Sequence, residues 1–236
     1  MKRLRQRSTD KEMMDDLLCE GEVLLQTLKE LKIINKLLGG NRVTTTGLHR
    51  LLTGPNITWP VTVADLGCGG GDMIKVMAKW ADKKRYPLEF IAVDANPNVI
   101  MLAKENLSGQ SSNIHFHVGN VFEPDFIQNN VDIITCTLFT HHFTDEELRL
   151  LFKNFKQKAK LGILINDLHR HPLAYYSIKT LTTLFSKSEM VKNDAPVSVA
   201  RSFSKKDWET ILLGAGIKNF TISWHWAFRW QVICWV

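Results

Sequence analysis

Val61-Thr-Val-Ala-Asp65-Leu-Gly67-Cys-Gly69-Gly-Gly71-Asp72 is the stretch on which the fold turns. Val61 to Leu66 is an apolar, β-branched run that reads as a buried strand. The glycines that follow read as a tight loop, and Asp72 to Lys84 carries a helical pattern. A loop without side chains between a strand and a helix lets a ligand approach the backbone beside the amides of the helix N-terminus. A dinucleotide fingerprint, GxGxxG, would need a third glycine at position 72. Asp72 stands there, and the glycine falls at Gly71 instead, giving GxGxG. A purely structural turn would use the same glycines; the acid Asp65 on the preceding strand favours a nucleoside-bearing ligand.

Outward from this unit the pattern repeats. Leu88 to Val93 is a second strand, with Asp94 at its end, Asn96 as an N-cap and Pro97 at the first helical position. Ile114 to Val118 and Val131 to Leu138 are further strands. Thr144 and Glu147 form a capping box opening a helix to about Lys158, and Lys160 to Asn166 is a fifth strand. Strands alternating with helices predict an α/β, Rossmann-like parallel sheet covered on both faces. Ser204 and Asp207 open one more helix, ended by Gly214 and Gly216. Phe220 to Trp226 and Phe228 to Trp235 are too closely joined to be anything but an antiparallel hairpin, so seven strands are expected. Residues 11 to 38 form an amphipathic arm stopped by Gly39-Gly40, and Thr46 to Leu52 a second short helix. The chain therefore divides into an N-terminal helical cap over 1–56 and a main domain over 57–236. An insertion at about 167–204 contains a helix from Pro172 to about Phe185.

Composition narrows the function. The chain has 236 residues, 44% of them hydrophobic, enough for one full core. The basic start, Met1 to Arg7, is followed by Ser8-Thr-Asp-Lys-Glu12 where a secretory signal would be apolar, and no apolar run approaches a membrane span of ~18 residues. Cys19, Cys68, Cys136 and Cys234 are scattered without a CxxC pair, so neither disulfide framework nor zinc ribbon is indicated. A reducing, cytoplasmic setting is expected. The net charge of +6 is spread along the chain, which reads as a solvated basic surface and not as a nucleic-acid face.

Asp94 ends its strand where an ionised carboxylate accepts from both hydroxyls of a ribose. Together, Asp65-Leu-Gly67-Cys-Gly69-Gly-Gly71, Asp94, Gly119-Asn120-Val121 and Val131 to Leu138 resemble the successive cofactor motifs of class I S-adenosylmethionine-dependent methyltransferases. The resemblance implies S-adenosyl-L-methionine as cofactor. It places the methionine part at the loop of Gly67, Gly69 and Gly71, the ribose at Asp94 and the adenine beside Asn120, with Asp65, Cys68, Ala95, Val121 and Thr137 as further cofactor-binding candidates. Many members carry Asp at position 120; the amide oxygen of Asn120 is expected to accept from the adenine amino group.

Two histidine clusters share the carboxyl edge of the sheet: Leu138-Phe-Thr-His141-His142-Phe after the fourth strand and Asn166-Asp167-Leu-His169-Arg-His171 after the fifth. A phenol with pKa near ~10 gains from proton removal by an imidazole, so His141 and His142, then His169, are candidate bases, with Asp167 as an orienting carboxylate. A hydrogen-bonded structural histidine is the alternative at each position. Magnesium is set aside, because the fourth strand ends without a carboxylate and the ion prefers oxygen to imidazole. No metal is expected. Tyr175 and Tyr176 on the insertion helix are expected to line an apolar lid, unless that helix is ordinary core. Trp224, Trp226, Trp230 and Trp235 read as hairpin core, and Cys136 as a buried thiol.

Asn166-Asp-Leu-His-Arg-His-Pro172, Asp194-Ala-Pro-Val-Ser198 and Trp226-Ala-Phe-Arg-Trp230 resemble small bacterial methyltransferases of the quinone-biosynthesis type, including some associated with type III polyketide synthases. That resemblance implies a small phenolic or quinol-like acceptor, methylated on oxygen or on a ring carbon. Two other classes stay open. An RNA methyltransferase is disfavoured by the absence of an Asp/Asn-Pro-Pro-aromatic motif after the fourth strand and of an RNA-binding module. A non-catalytic S-adenosylmethionine-binding protein is disfavoured by the edge histidines.

Overall fold

A computed structural model describes residues 4–54, 57–109 and 113–236. The expected boundary at residue 56 and the first three residues of the basic tail lie outside them. The elements run α1 (Gly21–Leu37), α2 (Gly40–Leu51), β1 (Val61–Leu66), α3 (Asp72–Lys84), β2 (Leu88–Asp94), α4 (Pro97–Leu107), β3 (Ile114–Val118), β4 (Val131–Thr137), α5 (Asp145–Lys158), β5 (Ala159–Leu168), α6 (Pro172–Phe185), α7 (Glu189–Arg201), α8 (Lys205–Gly214), β6 (Phe220–His225) and β7 (Arg229–Trp235).

The seven strands form one sheet in the order β3-β2-β1-β4-β5-β7-β6. The first five are parallel, and β7 runs antiparallel to both β5 and β6. β1 and β4 are buried almost throughout because helices cover both sheet faces. On one face Leu148 and Phe152 of α5 and Trp208 and Ile211 of α8 join Ile134 and Ile163 in a core. On the other, Ile74 and Met77 of α3 and Ile100 of α4 pack with Val63 and Ile133.

α2 belongs to that second layer. Leu48 and Leu51 sit in the same core, and Gly47 lies so close to the sheet that a Cβ there would come within 2.4 Å of a Leu164 methyl carbon. It begins six residues earlier than the expected Thr46. Its first turn opens on Gly40, and the Gly39-Gly40 pair, read as the stop of the arm, hid it; the Thr45 and Thr46 hydroxyls bond back to the carbonyls of Asn41 and Arg42. α1 starts at Gly21, not at residue 11. The preceding segment is extended around a 3-10 turn at Met13–Asp15, fastened where the Met13 and Met14 amides donate to Asp194.

α7 was not expected at all. Pro196 inside it removes an amide donor, which reads in sequence as a breaker, yet Ser188 caps the helix by accepting from the Val191 amide. The expected helix from Pro172, the expected capping box of α5 and the helix expected to open at Ser204 and Asp207 are present, the last also with a capping box. Among the described residues, no helix is long and apolar enough to cross a membrane.

Candidate functional site

In the strand order, β1 is flanked by β2 and β4, so the chain's crossovers leave in opposite directions at the β1–β4 pair. Such a switch point opens a crevice at the carboxyl ends of the strands. A cavity of about 1250 Å³ occupies it. Its floor is the loop after β1 and the ends of β2 and β4. Its roof comes from α1, α6, α7 and the extended segment before α1.

The loop's glycines have separate tasks. Gly67 (φ +66°) faces the Phe139 ring, which a Cβ would overlap at 2.1 Å, and Gly71 (φ +76°) backs onto Leu107. These two permit close packing, and Gly71 is not part of the cavity lining. At Gly69 (φ +53°) a Cβ would meet only a Leu28 methyl carbon at 3.8 Å, so bare backbone faces the cavity there. The Gly69 amide donates to Asp94 Oδ2 (3.2 Å) and the Asn96 amide to Oδ1 (3.0 Å), which aims the half-buried carboxylate along the cavity floor. Burial raises the Asp94 carboxyl, and these amides oppose the rise. An open glycine backbone beside a fixed carboxylate is what an adenosyl ligand requires, so the residues present fit S-adenosylmethionine.

Asp65 lies beneath the loop, 2% exposed, accepting from Thr135 Oγ1 at 2.7 Å; burial pushes its carboxyl up to about 7. The Cys68 thiol is raised well above its ordinary value by burial and by Asp94, and the Cys136 thiol by complete burial, so both are protonated and unreactive. Ala95, Asn120, Val121 and Thr137 all line the cavity. One lone pair of Asn120 Oδ1 takes the Phe122 amide (3.1 Å), leaving the other for a ligand.

Beyond β4, Thr140–His142 forms a 3-10 turn that turns both imidazoles toward the cavity. His141 is 3% exposed, and its Nδ1 lies 2.7 Å from Oδ1 of Asp167. A carboxylate only accepts, so Nδ1 carries a proton, and in the neutral form of the ring the lone pair is on Nε2. Asp167, fully buried, also accepts from Thr140 Oγ1 (2.5 Å) and the amides of His141 and Leu168. Burial would raise its carboxyl, but His141 and these donors outweigh burial and hold it well below the usual carboxylate range. His142 repeats the arrangement through Asp15, with Nδ1 to Oδ1 at 2.7 Å. Arg201 locks the turn, with Nε donating to His141 O (3.1 Å), Nη2 to His142 O and Nη1 to Asp15 Oδ2 (2.6 Å). Burial likewise fails to raise Asp15, which His142 and Arg201 hold low.

Glu12 completes this face. Its Oε2 accepts from Ser198 Oγ (2.9 Å), while Oε1 is buried, accepts no hydrogen bond and lies 3.7 Å from His141 Nε2. Burial pushes its carboxyl up to about 7. Glu12, Asp15 and Arg201 were absent from the sequence reading. The first two had been read as one side of an amphipathic helix, and Arg201 sits on the helix that Pro196 disguised. The acid pair in Glu12-Met-Met-Asp15 was the available signal.

Other candidates sit elsewhere. His169 is not in the cavity lining: Trp224 Nε1 donates to its Nδ1 (3.2 Å), its ring packs on Trp230, and burial with His171 and Arg170 lowers it to about 4. Tyr175 and Tyr176 are outside the lining too. α6 presents Ala174, Ser177 and Ile178, the i, i+3, i+4 positions of one helical face, and Tyr176 is 58% exposed. Of the hairpin tryptophans, Trp230 is core, whereas Trp224 and Trp226 are exposed and Trp226 borders the cavity mouth.

A family profile described as a methyltransferase domain matches residues 63–162. The ubiquinone/menaquinone biosynthesis C-methyltransferase UbiE of Vibrio vulnificus is 28% identical over 174 residues, which is 69% of this chain and 64% of that protein. The chain thus spans less than two thirds of the curated relative. Among solved structures, human N-acetylserotonin methyltransferase in complex with S-adenosylmethionine is similar with a TM-score of 0.63 at 20% identity, over 90% of this chain and 55% of that one. A SAM-dependent methyltransferase from Aquifex aeolicus reaches 0.63 at 16% identity, over 92% and 100%.

Proposed function

Taking as premise that the chain carries a class I S-adenosylmethionine-dependent methyltransferase domain, we propose that it methylates a small organic acceptor, a phenolic or quinol-like oxygen or ring carbon. The observation that carries this reading is the meeting, in one roofed cavity, of the Gly69–Asp94 cradle with the carboxylate-oriented His141 and His142. Bound in the cradle, the cofactor supplies an electrophilic methyl group on a sulfonium sulfur. Asp94 would accept from the ribose hydroxyls, the bare Gly69 backbone would let the ligand lie close, and Asn120 would offer its remaining lone pair to the adenine. An imidazole nitrogen of the histidine face would take the acceptor's proton, leaving the oxygen or carbon nucleophilic toward the methyl group that the bound cofactor would supply.

The roof supports a small acceptor. Leu24, Leu28 and Leu31 of α1 and Val191 and Val199 of α7 give it an apolar ceiling, and the segment around 172–201 with α1 acts as the lid. An RNA strand would need an open basic cleft at this place. The name of the UbiE relative, a quinone-biosynthesis C-methyltransferase, points the same way. A panel of phenols and quinols with methyl-labelled S-adenosylmethionine tests the reading: label is expected in at least one aromatic acceptor. Label appearing in RNA alone, or cofactor binding without transfer to any acceptor, would overturn it.

A further inference from the structure

The histidine face is also a ligand set. One donor atom from each of Glu12, His141 and His142 lies within 4.8 Å of the other two. Each imidazole has its Nδ1 engaged by a carboxylate, Asp167 for His141 and Asp15 for His142, each at 2.7 Å. Such outer carboxylates fix the ring and raise the basicity of the free nitrogen, as they do for metal-bound histidines. The third donor is an orphan: Glu12, whose side chain is 4% exposed, directs a carboxylate oxygen without any hydrogen bond toward His141 Nε2.

Charge points in the same direction. Three carboxylates, Glu12, Asp15 and Asp167, converge on two imidazoles. Arg201 pairs with Asp15 at 2.6 Å and stays 3.8 Å from Glu12, while the Arg7 guanidinium is taken by Asp145. Arg201 supplies one counter-charge to this group, but the Glu12 oxygen still has no hydrogen-bond donor, and a buried polar atom left unmatched is costly.

We propose that Glu12, His141 and His142 bind one divalent transition-metal ion of the zinc type, leaving the side toward the cavity open for the acceptor oxygen. Two imidazoles and one carboxylate suit zinc, cobalt or iron, and not magnesium. The inference rests on this face being the one that activates the acceptor: with the ion bound, the imidazoles work through it and not as free bases.

The test uses the full-length protein, stripped with a chelator and titrated with Zn²⁺ by calorimetry and with Co²⁺ by visible absorption. One equivalent should bind with a ligand-field spectrum of a low-symmetry nitrogen–oxygen site. Glu12→Gln and His142→Gln should each weaken binding on the order of 10–100-fold or more, with unchanged circular dichroism. No saturable uptake, or uptake indifferent to both substitutions, would overturn the site. S-adenosylmethionine affinity, measured on the stripped protein, keeps the two readings apart, since the cradle at Gly69 and Asp94 needs no metal.

Discussion

His141 and Asp167 are joined by two bonds to the same carboxylate, from the ring Nδ1 to Oδ1 at 2.7 Å and from the backbone amide to Oδ2 at 3.1 Å. Ring and backbone are therefore oriented together, and the imidazole has little freedom to leave the cavity. His141→Gln should lower methyl transfer by ~10²–10⁴-fold with the least acidic phenols and by less with acceptors already ionised at neutral pH. Single-turnover rates across phenols of graded acidity measure this, with cofactor affinity determined separately. Equal rates for variant and parent on the least acidic acceptor would remove His141 from the chemistry.

Asp94→Ala should weaken S-adenosylmethionine and S-adenosylhomocysteine alike, because the ribose loses a charged acceptor worth ~1.5–3 kcal/mol, roughly 10- to 150-fold in Kd. Gly69→Val should be more severe. It adds a branched side chain at φ +53° where the ligand is to lie against the backbone. Calorimetric titration of the two variants gives the answer; an unchanged Kd in either would displace the cradle.

Asp65 gives a pH-dependent prediction. Its carboxyl is pushed up to about 7 in the fold, whereas an unfolded chain releases that proton near ~4. Between those values the folded state holds a proton that the unfolded state has lost, so stability falls as pH rises through the window. Asp65→Asn keeps an oxygen for Thr135 and removes the buried charge. It should raise stability above pH 7, by an amount on the order of 1–4 kcal/mol, and change little near pH 4. Thermal melts at both ends of the range check it; a gain at acidic pH alone would contradict the assignment.

Arg201 uses three donors on two carbonyls and a carboxylate, a fork that lysine cannot reproduce. Arg201→Lys should loosen the Thr140–His142 turn and the segment that carries Glu12 and Asp15. Hydrogen exchange should then quicken over residues 8–19 while the Gly67–Gly71 loop keeps its protection. Uniform acceleration across the sheet would indicate general destabilisation and not a local clamp.

The parallel sheet, the glycine loop and the carboxylate at the end of β2 were legible because local rules fix them: a strand period, a glycine run, a cap and an acid at a strand end each need only neighbouring residues. Gly67, Gly69 and Gly71 were read as one loop with one purpose, and only packing against Phe139 and Leu107 separates their roles. His141 and Asp167 were legible as edge residues, since β4 and β5 are adjacent in the sheet. Glu12, Asp15 and Arg201 were not, because their meeting depends on tertiary contacts of an irregular segment that no periodicity announces. His169 shows the converse error. A strand edge has two sides, and β5 runs two residues past Asn166, which carries His169 toward the aromatic hairpin.

The segment ahead of α1 reaches the site from the far side of the sequence. Arg7 meets Arg201 across 194 residues, and Glu12 meets Ser198 across 186. Closing a loop of that length carries an entropic cost that is not recovered until the partners are in place. The Gly69–Asp94 contact closes across only 25 residues, between β1 and β2, and carries less of that cost. The stitches of the early residues onto α7 are therefore expected to be the first to open when the folded protein breathes, exposing the histidine face before the Gly69–Asp94 contact is disturbed.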